Sequence, residues 1–174
     1  MKYLNYNNRH ICVLYSTATC NLNCKYCYID KSPVLKKIDA ILEESYQGDY
    51  YFNFMKEMFP KEKLEKVEIW GGEPTYGFYR LMPTLRKALG YFPNLNNFMF
   101  STNLSTETCI EDILNFIKIT EDFPEKNFTF EIQLSLDGPT EINDYNRGQG
   151  TTEKFTKNFS KFIFVLGEYL KNHP

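Results

Sequence analysis

The stretch Phe128-Thr129-Phe130-Glu131-Ile132-Gln133-Leu134-Ser135-Leu136-Asp137 alternates apolar and polar side chains without a break. Such alternation puts Phe128, Phe130, Ile132, Leu134 and Leu136 on one face of a strand. Thr129, Glu131, Gln133, Ser135 and Asp137 fall on the other. A strand buried on both faces of a doubly wound sheet would read as an almost continuous apolar run. One polar face fits a curved, barrel-like sheet with helices outside and a polar interior that can hold a ligand. An antiparallel sheet with one wet face would also alternate, but the helical segments between the strands count against it.

Working outward, three shorter strands precede this one: Ile11 to Tyr15, Val67 to Trp70 and Asn97 to Ser101. From Leu35 to Phe59, apolar residues recur at helical spacing (Leu35, Ile38, Ile41, Leu42, then Phe54, Met55, Met58), with a break near Gly48-Asp49. A helix from about Phe78 to Leu89 follows the second strand. Thr108 with Glu111 three places on reads as a capping box, opening a helix with Ile110, Ile113, Leu114 and Ile117 on one face. The last helix starts near Thr152 and carries Phe155, Phe159, Phe162, Leu166 and Tyr169. Strand–helix alternation implies parallel strands joined by right-handed crossovers. The expected fold class is therefore α/β, a partial parallel (βα) barrel with four βα units, in one domain over residues 1–174. Chemistry in parallel barrels sits at the carboxyl ends of the strands. The polar and glycine motifs lie at those ends: cysteines after the first strand, Gly71-Gly72-Glu73-Pro74 after the second, Ser101-Thr102-Asn103 after the third, and Ser135 and Asp137 closing the fourth.

Ser16-Thr17-Ala18-Thr19-Cys20-Asn21-Leu22-Asn23-Cys24-Lys25-Tyr26-Cys27 packs three cysteines into eight residues. Three close thiolates can hold three irons of a cubic iron–sulfur cluster and leave the fourth iron open to a substrate or cofactor. Structural zinc is the competing reading. It wants four ligands, usually as two close pairs, and the other candidates, Cys12, Cys109, His10 and His173, form no second pair. An odd count of five cysteines, with no secretory pattern in the first residues, argues against a disulfide framework. Cys12 in a strand and Cys109 on an apolar helix face read as core.

Hydrophobic content of 43% and aromatic content of 17% are those of a chain that buries a core. A net charge of −2 gives no field for a nucleic-acid backbone. No apolar run reaches bilayer length. The expected setting is the reducing cytoplasm, without membrane or nucleic-acid partners.

The residues resemble the radical S-adenosylmethionine (radical SAM) family. The resemblance rests on the Cys20, Cys24, Cys27 spacing with Tyr26 before the last cysteine, and on Gly71-Gly72-Glu73-Pro74. Ser135-Leu136-Asp137-Gly138-Pro139, then Asn146-Arg147 and Gly150-Thr151, looks like the fourth-strand region of the SPASM-type subgroup of anaerobic sulfatase maturases and peptide maturases. The resemblance implies a 4Fe–4S cluster on the three cysteines and S-adenosylmethionine chelating the open iron. One electron from the reduced cluster then cleaves the sulfonium to methionine and a 5′-deoxyadenosyl radical, which takes a hydrogen atom from the substrate.

The same resemblance implies that Gly71 and Gly72 let backbone approach the ligand, that Glu73 holds its amino group, and that Tyr26 lies beside adenine. Ser135 and Asn103 are candidates for the ribose or carboxylate, or else strand-end caps. Arg147 suits the carboxylate, or else a surface ion pair. Asp137-Gly138-Pro139 reads as turn chemistry. Strand parity makes Glu131, Gln133 and Glu68 candidates for orienting substrate. The implied partners are a peptide or protein substrate and a ferredoxin or flavodoxin electron donor.

The family's core has six βα units where four are visible here. The expectation is thus a core domain shortened at its carboxyl end, with an exposed sheet edge that a partner chain could complete. A non-catalytic accessory protein that binds a cluster or zinc is the alternative function.

Overall fold

The computed structural model of the chain describes residues 5–6, 9–29 and 34–172. Five strands form one sheet in chain order: β1 (Asn5–Tyr6), β2 (Arg9–Thr17), β3 (Leu64–Gly71), β4 (Asn97–Thr102) and β5 (Thr129–Leu134). Strands β2 to β5 are parallel, and β1 is a short antiparallel partner of β2. Helices α1 (Val34–Gln47) and α2 (Tyr50–Met58) link β2 to β3, α3 (Phe78–Tyr91) links β3 to β4, and α4 (Cys109–Ile117) links β4 to β5. Helices α5 (Thr140–Arg147) and α6 (Thr151–Asn172) follow β5. Each parallel strand adds to the same side of the one before it, as in a barrel wall, whereas a doubly wound sheet reverses direction part-way. The fold is α/β with four parallel strands alternating with helices, consistent with part of a (βα) barrel.

The break expected near Gly48-Asp49 falls between α1 and α2, with Asp49 at φ 58°. The capping box does not form. The Thr108 hydroxyl donates to the Asp112 carboxylate at 2.7 Å, one turn on, rather than accepting from a helix N–H. Neither β1 nor α5 was expected: β1 is only two residues long, and α5 is too polar to show an apolar stripe. His173 and Pro174 lie outside the described residues. Among the described residues no helix is long and apolar enough to cross a membrane.

Alternation sorts the two faces of the sheet. Cys12, Leu14, Val67, Ile69, Phe98 and Phe100 are buried against the helices, with Phe130 and Ile132 packed on that core. Phe116 of α4 lies at the centre, its ring centroid 4.6 Å from Phe78, 5.6 Å from Phe98, 5.7 Å from Phe100 and 5.9 Å from Phe130. Cys109 is buried in the same core. The opposite face bears Val13, Lys66, Glu68, Trp70, Asn97, Glu131 and Gln133. There Lys66 Nζ lies 3.3 Å from Glu68 and 3.2 Å from Glu131. Trp70 Nε1 donates to Glu68 at 3.4 Å and Asn97 Nδ2 to Glu131 at 3.3 Å.

Candidate metal and cofactor site

The cysteine loop leaves β2 at Thr17 and is seized at once by α1. Asp39 Oδ1 accepts from Thr17 Oγ1 at 2.9 Å and from the Ala18 N–H at 2.8 Å, and its Oδ2 accepts from Thr19 Oγ1 at 2.6 Å. Arg80 of α3 stands behind this carboxylate, with Nη1 3.5 Å from Asp39 and Nε 2.7 Å from Glu43. Burial works against the charge on Asp39, but the Thr19, Ala18 and Thr17 hydrogen bonds and Arg80 together hold its pKa below the ordinary carboxylate range. Nothing in the sequence motifs pointed to Asp39. The available signal was a carboxylate on the α1 stripe that includes the buried Leu42 and Tyr46.

From the other side, the end of β3 interlocks with the same segment. The Gly72 N–H donates to the Thr17 carbonyl at 2.8 Å and the Glu73 N–H to the Thr19 carbonyl at 2.9 Å. A Cβ at Gly71 would lie 2.4 Å from the Thr17 carbonyl oxygen, and one at Gly72 would lie 2.4 Å from that of Thr19. These glycines therefore permit backbone to approach the entry of the cysteine loop. The Glu73 carboxylate is buried and occupied: Oε2 accepts from the Asn103 N–H at 2.8 Å and Oε1 from Thr75 Oγ1 at 3.1 Å. Burial pushes its pKa up, against the pull of those hydrogen bonds. It ties the end of β3 to the end of β4.

On the far side Asp137 is a junction rather than simple turn chemistry. Its carboxylate accepts from the Tyr26 hydroxyl at 2.8 Å, from Arg147 Nη2 at 2.6 Å and from Arg147 Nε at 2.8 Å. Burial opposes the Asp137 charge, yet the Arg147 and Tyr26 bonds outweigh it and hold its pKa below the usual range. Burial and the bond to Asp137 push the Tyr26 hydroxyl up to about 12. The Lys25 N–H donates to the Asn146 carbonyl at 2.8 Å, so α5 also grips the cysteine loop through backbone. The chain then reverses into α6 with Gly148 and Gly150 both at positive φ. Asp144 accepts from the N–H groups of Gly150 and Thr152 at 2.7 and 2.9 Å. The Ser135 N–H donates to the Thr102 carbonyl at 2.9 Å, one residue beyond β5.

One cavity of about 320 Å³ opens at these strand ends. Cys20, Cys24, Cys27, Tyr26, Gly71, Gly72, Glu73, Asn103, Ser135 and Arg147 all line it, as does Gln133. Glu68 and Glu131 do not. They meet at Lys66, lower on the polar face.

A family model for the radical SAM superfamily matches residues 14–163. The chain belongs to the radical SAM superfamily. No curated protein matches it. Members of the radical SAM superfamily use a 4Fe–4S cluster and S-adenosylmethionine, and the matched span contains every residue named around the cavity.

The chemistry of the donor set fits a radical SAM cluster. Three thiol side chains face one cavity, and the Leu22 N–H points at Cys20 Sγ from 3.4 Å, as suits a sulfur carrying negative charge. Among the described residues no three His, Cys, Asp or Glu side chains converge on one point as a mononuclear metal needs. A cubic cluster asks only that each cysteine reach its own iron.

Proposed function

We propose that this chain forms the core of a radical SAM enzyme acting on a peptide or protein side chain. The observation that carries the reading is the meeting, in one cavity at the carboxyl ends of four parallel strands, of three cysteines with Tyr26, Ser135 and Arg147. When bound, the cluster and S-adenosylmethionine supply a one-electron cleavage that yields a hydrogen-abstracting 5′-deoxyadenosyl radical.

The chain's own residues bind and orient. Cys20, Cys24 and Cys27 would hold the cluster. Arg147, kept charged and aimed by Asp137, would take the carboxylate of the methionine moiety through the part of its guanidinium not engaged by Asp137. The exposed ring of Tyr26, fixed through its hydroxyl, would flank the adenine, and Ser135 would bond the ribose or carboxylate. Gly71 and Gly72 would offer backbone atoms beside the amino group, while Glu73 braces them from within. Gln133 lies where substrate would enter from the polar face.

The peptide or protein substrate is favoured by Ser135-Leu136-Asp137-Gly138-Pro139, Asn146-Arg147 and Gly150-Thr151, which resemble the fourth-strand region of the maturase subgroup. A small ferredoxin or flavodoxin would deliver the electron.

The test is anaerobic reconstitution with iron and sulfide, followed by dithionite and S-adenosylmethionine. The expected result is a 4Fe–4S spectrum and release of 5′-deoxyadenosine, both lost in Cys24→Ala. A fully loaded cluster that releases no 5′-deoxyadenosine overturns the enzyme reading. Transfer of deuterium from labelled peptide side chains into 5′-deoxyadenosine tests the substrate class.

A further inference from the structure

The loop after β4 contains a backbone outlier and a closed ring of hydrogen bonds that the reading above leaves without a purpose. Leu104 is fully buried at φ 51°, a left-handed conformation that strains a non-glycine residue. Both of its peptide groups are held: its N–H donates to Thr102 Oγ1 at 3.0 Å, and its carbonyl accepts from Asn158 Nδ2 at 2.9 Å. Strain kept in place by such bonds marks a position where geometry is being imposed.

The bend carries the Asn103 side chain toward the first cysteine. Its Nδ2 lies 2.9 Å from Asn21 Oδ1 and 3.8 Å from Cys20 Sγ. Its Oδ1 accepts from the Ser105 N–H at 2.9 Å and the Ser105 hydroxyl at 2.7 Å. Ser105 Oγ in turn accepts from Asn21 Nδ2 at 2.9 Å, which closes the ring. Two donors on Oδ1 fix which way the amide faces, so the group turned to the sulfur is the N–H donor.

We infer that Asn103 is a positioning residue that raises the electron affinity of the metal centre by donating a hydrogen bond to the Cys20 thiolate. This rests on the reading that Cys20 ligates a cluster iron. A donor on a ligating sulfur stabilises the more negative, reduced state, and hydrogen bonds to the sulfurs are among the factors that set cluster potentials. The donor comes from the loop after β4 and the cysteine from the loop after β2. The ease of reduction therefore depends on how those two loops lock together through Asn21 and Ser105.

Two variants separate this role from a merely structural one. Asn103→Ala removes the donor without adding charge. Asn103→Asp keeps the shape and the acceptor for Ser105 but turns an acceptor toward the sulfur. Each is reconstituted anaerobically beside the wild type, iron and sulfide are counted, and the cluster midpoint is measured by EPR-monitored titration without S-adenosylmethionine. Both variants are expected to be harder to reduce, with Asn103→Asp the more affected. At the wild-type midpoint its reduced-to-oxidised ratio falls about tenfold, equivalent to about 59 mV for one electron. Ser105→Ala retains the amide donor and stays closer to wild type than either.

Wild-type potentials in both Asn103 variants overturn the inference. So does a failure of both to load a cluster that the wild type loads, since that identifies a structural residue. If only Asn103→Ala fails to load, Asn103→Asp decides by itself. A wild-type chain that takes up no cluster sinks the functional reading instead, and the iron and sulfide count shows this before any variant is compared.

Discussion

The two faces of the sheet are written by the same strands in alternate residues, yet they have different tasks. Leu14 and Val13 are neighbours in β2: the first is 1% exposed and the second 54%. On the helix side, aromatic rings from β4, β5, α3 and α4 fill the space to the exclusion of water. On the other side, Lys66 pairs with Glu68 and Glu131, and Asn97 Nδ2 donates to Glu131, in a layer that solvent still reaches. The packed face holds the strands at fixed spacing, and the loops at their carboxyl ends inherit that spacing. Ion pairs that solvent reaches contribute little to stability, so the polar face is expected to tolerate substitution where the packed face does not.

Three measurements sharpen or break this contrast. The largest effect is expected at Phe98, fully buried and in ring contact with Phe116, Phe128 and Phe130. Phe98→Ala should cost about 3–5 kcal/mol in urea unfolding, and a cost near zero would mean that the packed face does not hold the fold.

A smaller effect, visible only in alkali, belongs to Cys12. Burial pushes its thiol from 9.0 up to about 12. The folded pKa lies above the unfolded one, so the contribution is intact below about pH 9 and is lost as pH rises toward 12. Cys12→Ala should flatten that part of the stability–pH curve relative to wild type, and identical slopes would show that the thiol is not sealed from water.

The smallest effect is expected on the polar face. Glu131, about half exposed, should tolerate Glu131→Gln with a change under about 1 kcal/mol. A loss comparable to that of Phe98→Ala would erase the distinction between the faces.

Much of this was legible because alternation and motif spacing are local signals. Phe128 to Asp137 announced the half-polar strand, and the Gly71-Gly72 pair and the cysteines marked strand ends. Asp39 was hidden because its partners, Thr17, Ala18 and Thr19, lie a whole crossover away and nothing short-range couples them. Asp137 looked like a turn residue because Asp-Gly-Pro is ordinary turn chemistry, and only folding brings Tyr26 and Arg147 to its carboxylate. Thr108 had the spacing of a capping box, but Asp112, one turn along, offered its hydroxyl a charged acceptor instead. Helix α5 escaped because its polar surface gives no periodic apolar signal.

Gly77 repeats the interlock made by Gly71 and Gly72: an added methyl group would sit 2.4 Å from the Ser16 carbonyl oxygen. Three carbonyls at the exit of β2, those of Ser16, Thr17 and Thr19, are thus approached by residues of the next βα unit too closely for a side chain, like teeth in a ratchet. Intolerance to substitution at these glycines would register mechanical fit between two crossovers, and so would persist in a version of the chain stripped of every cysteine.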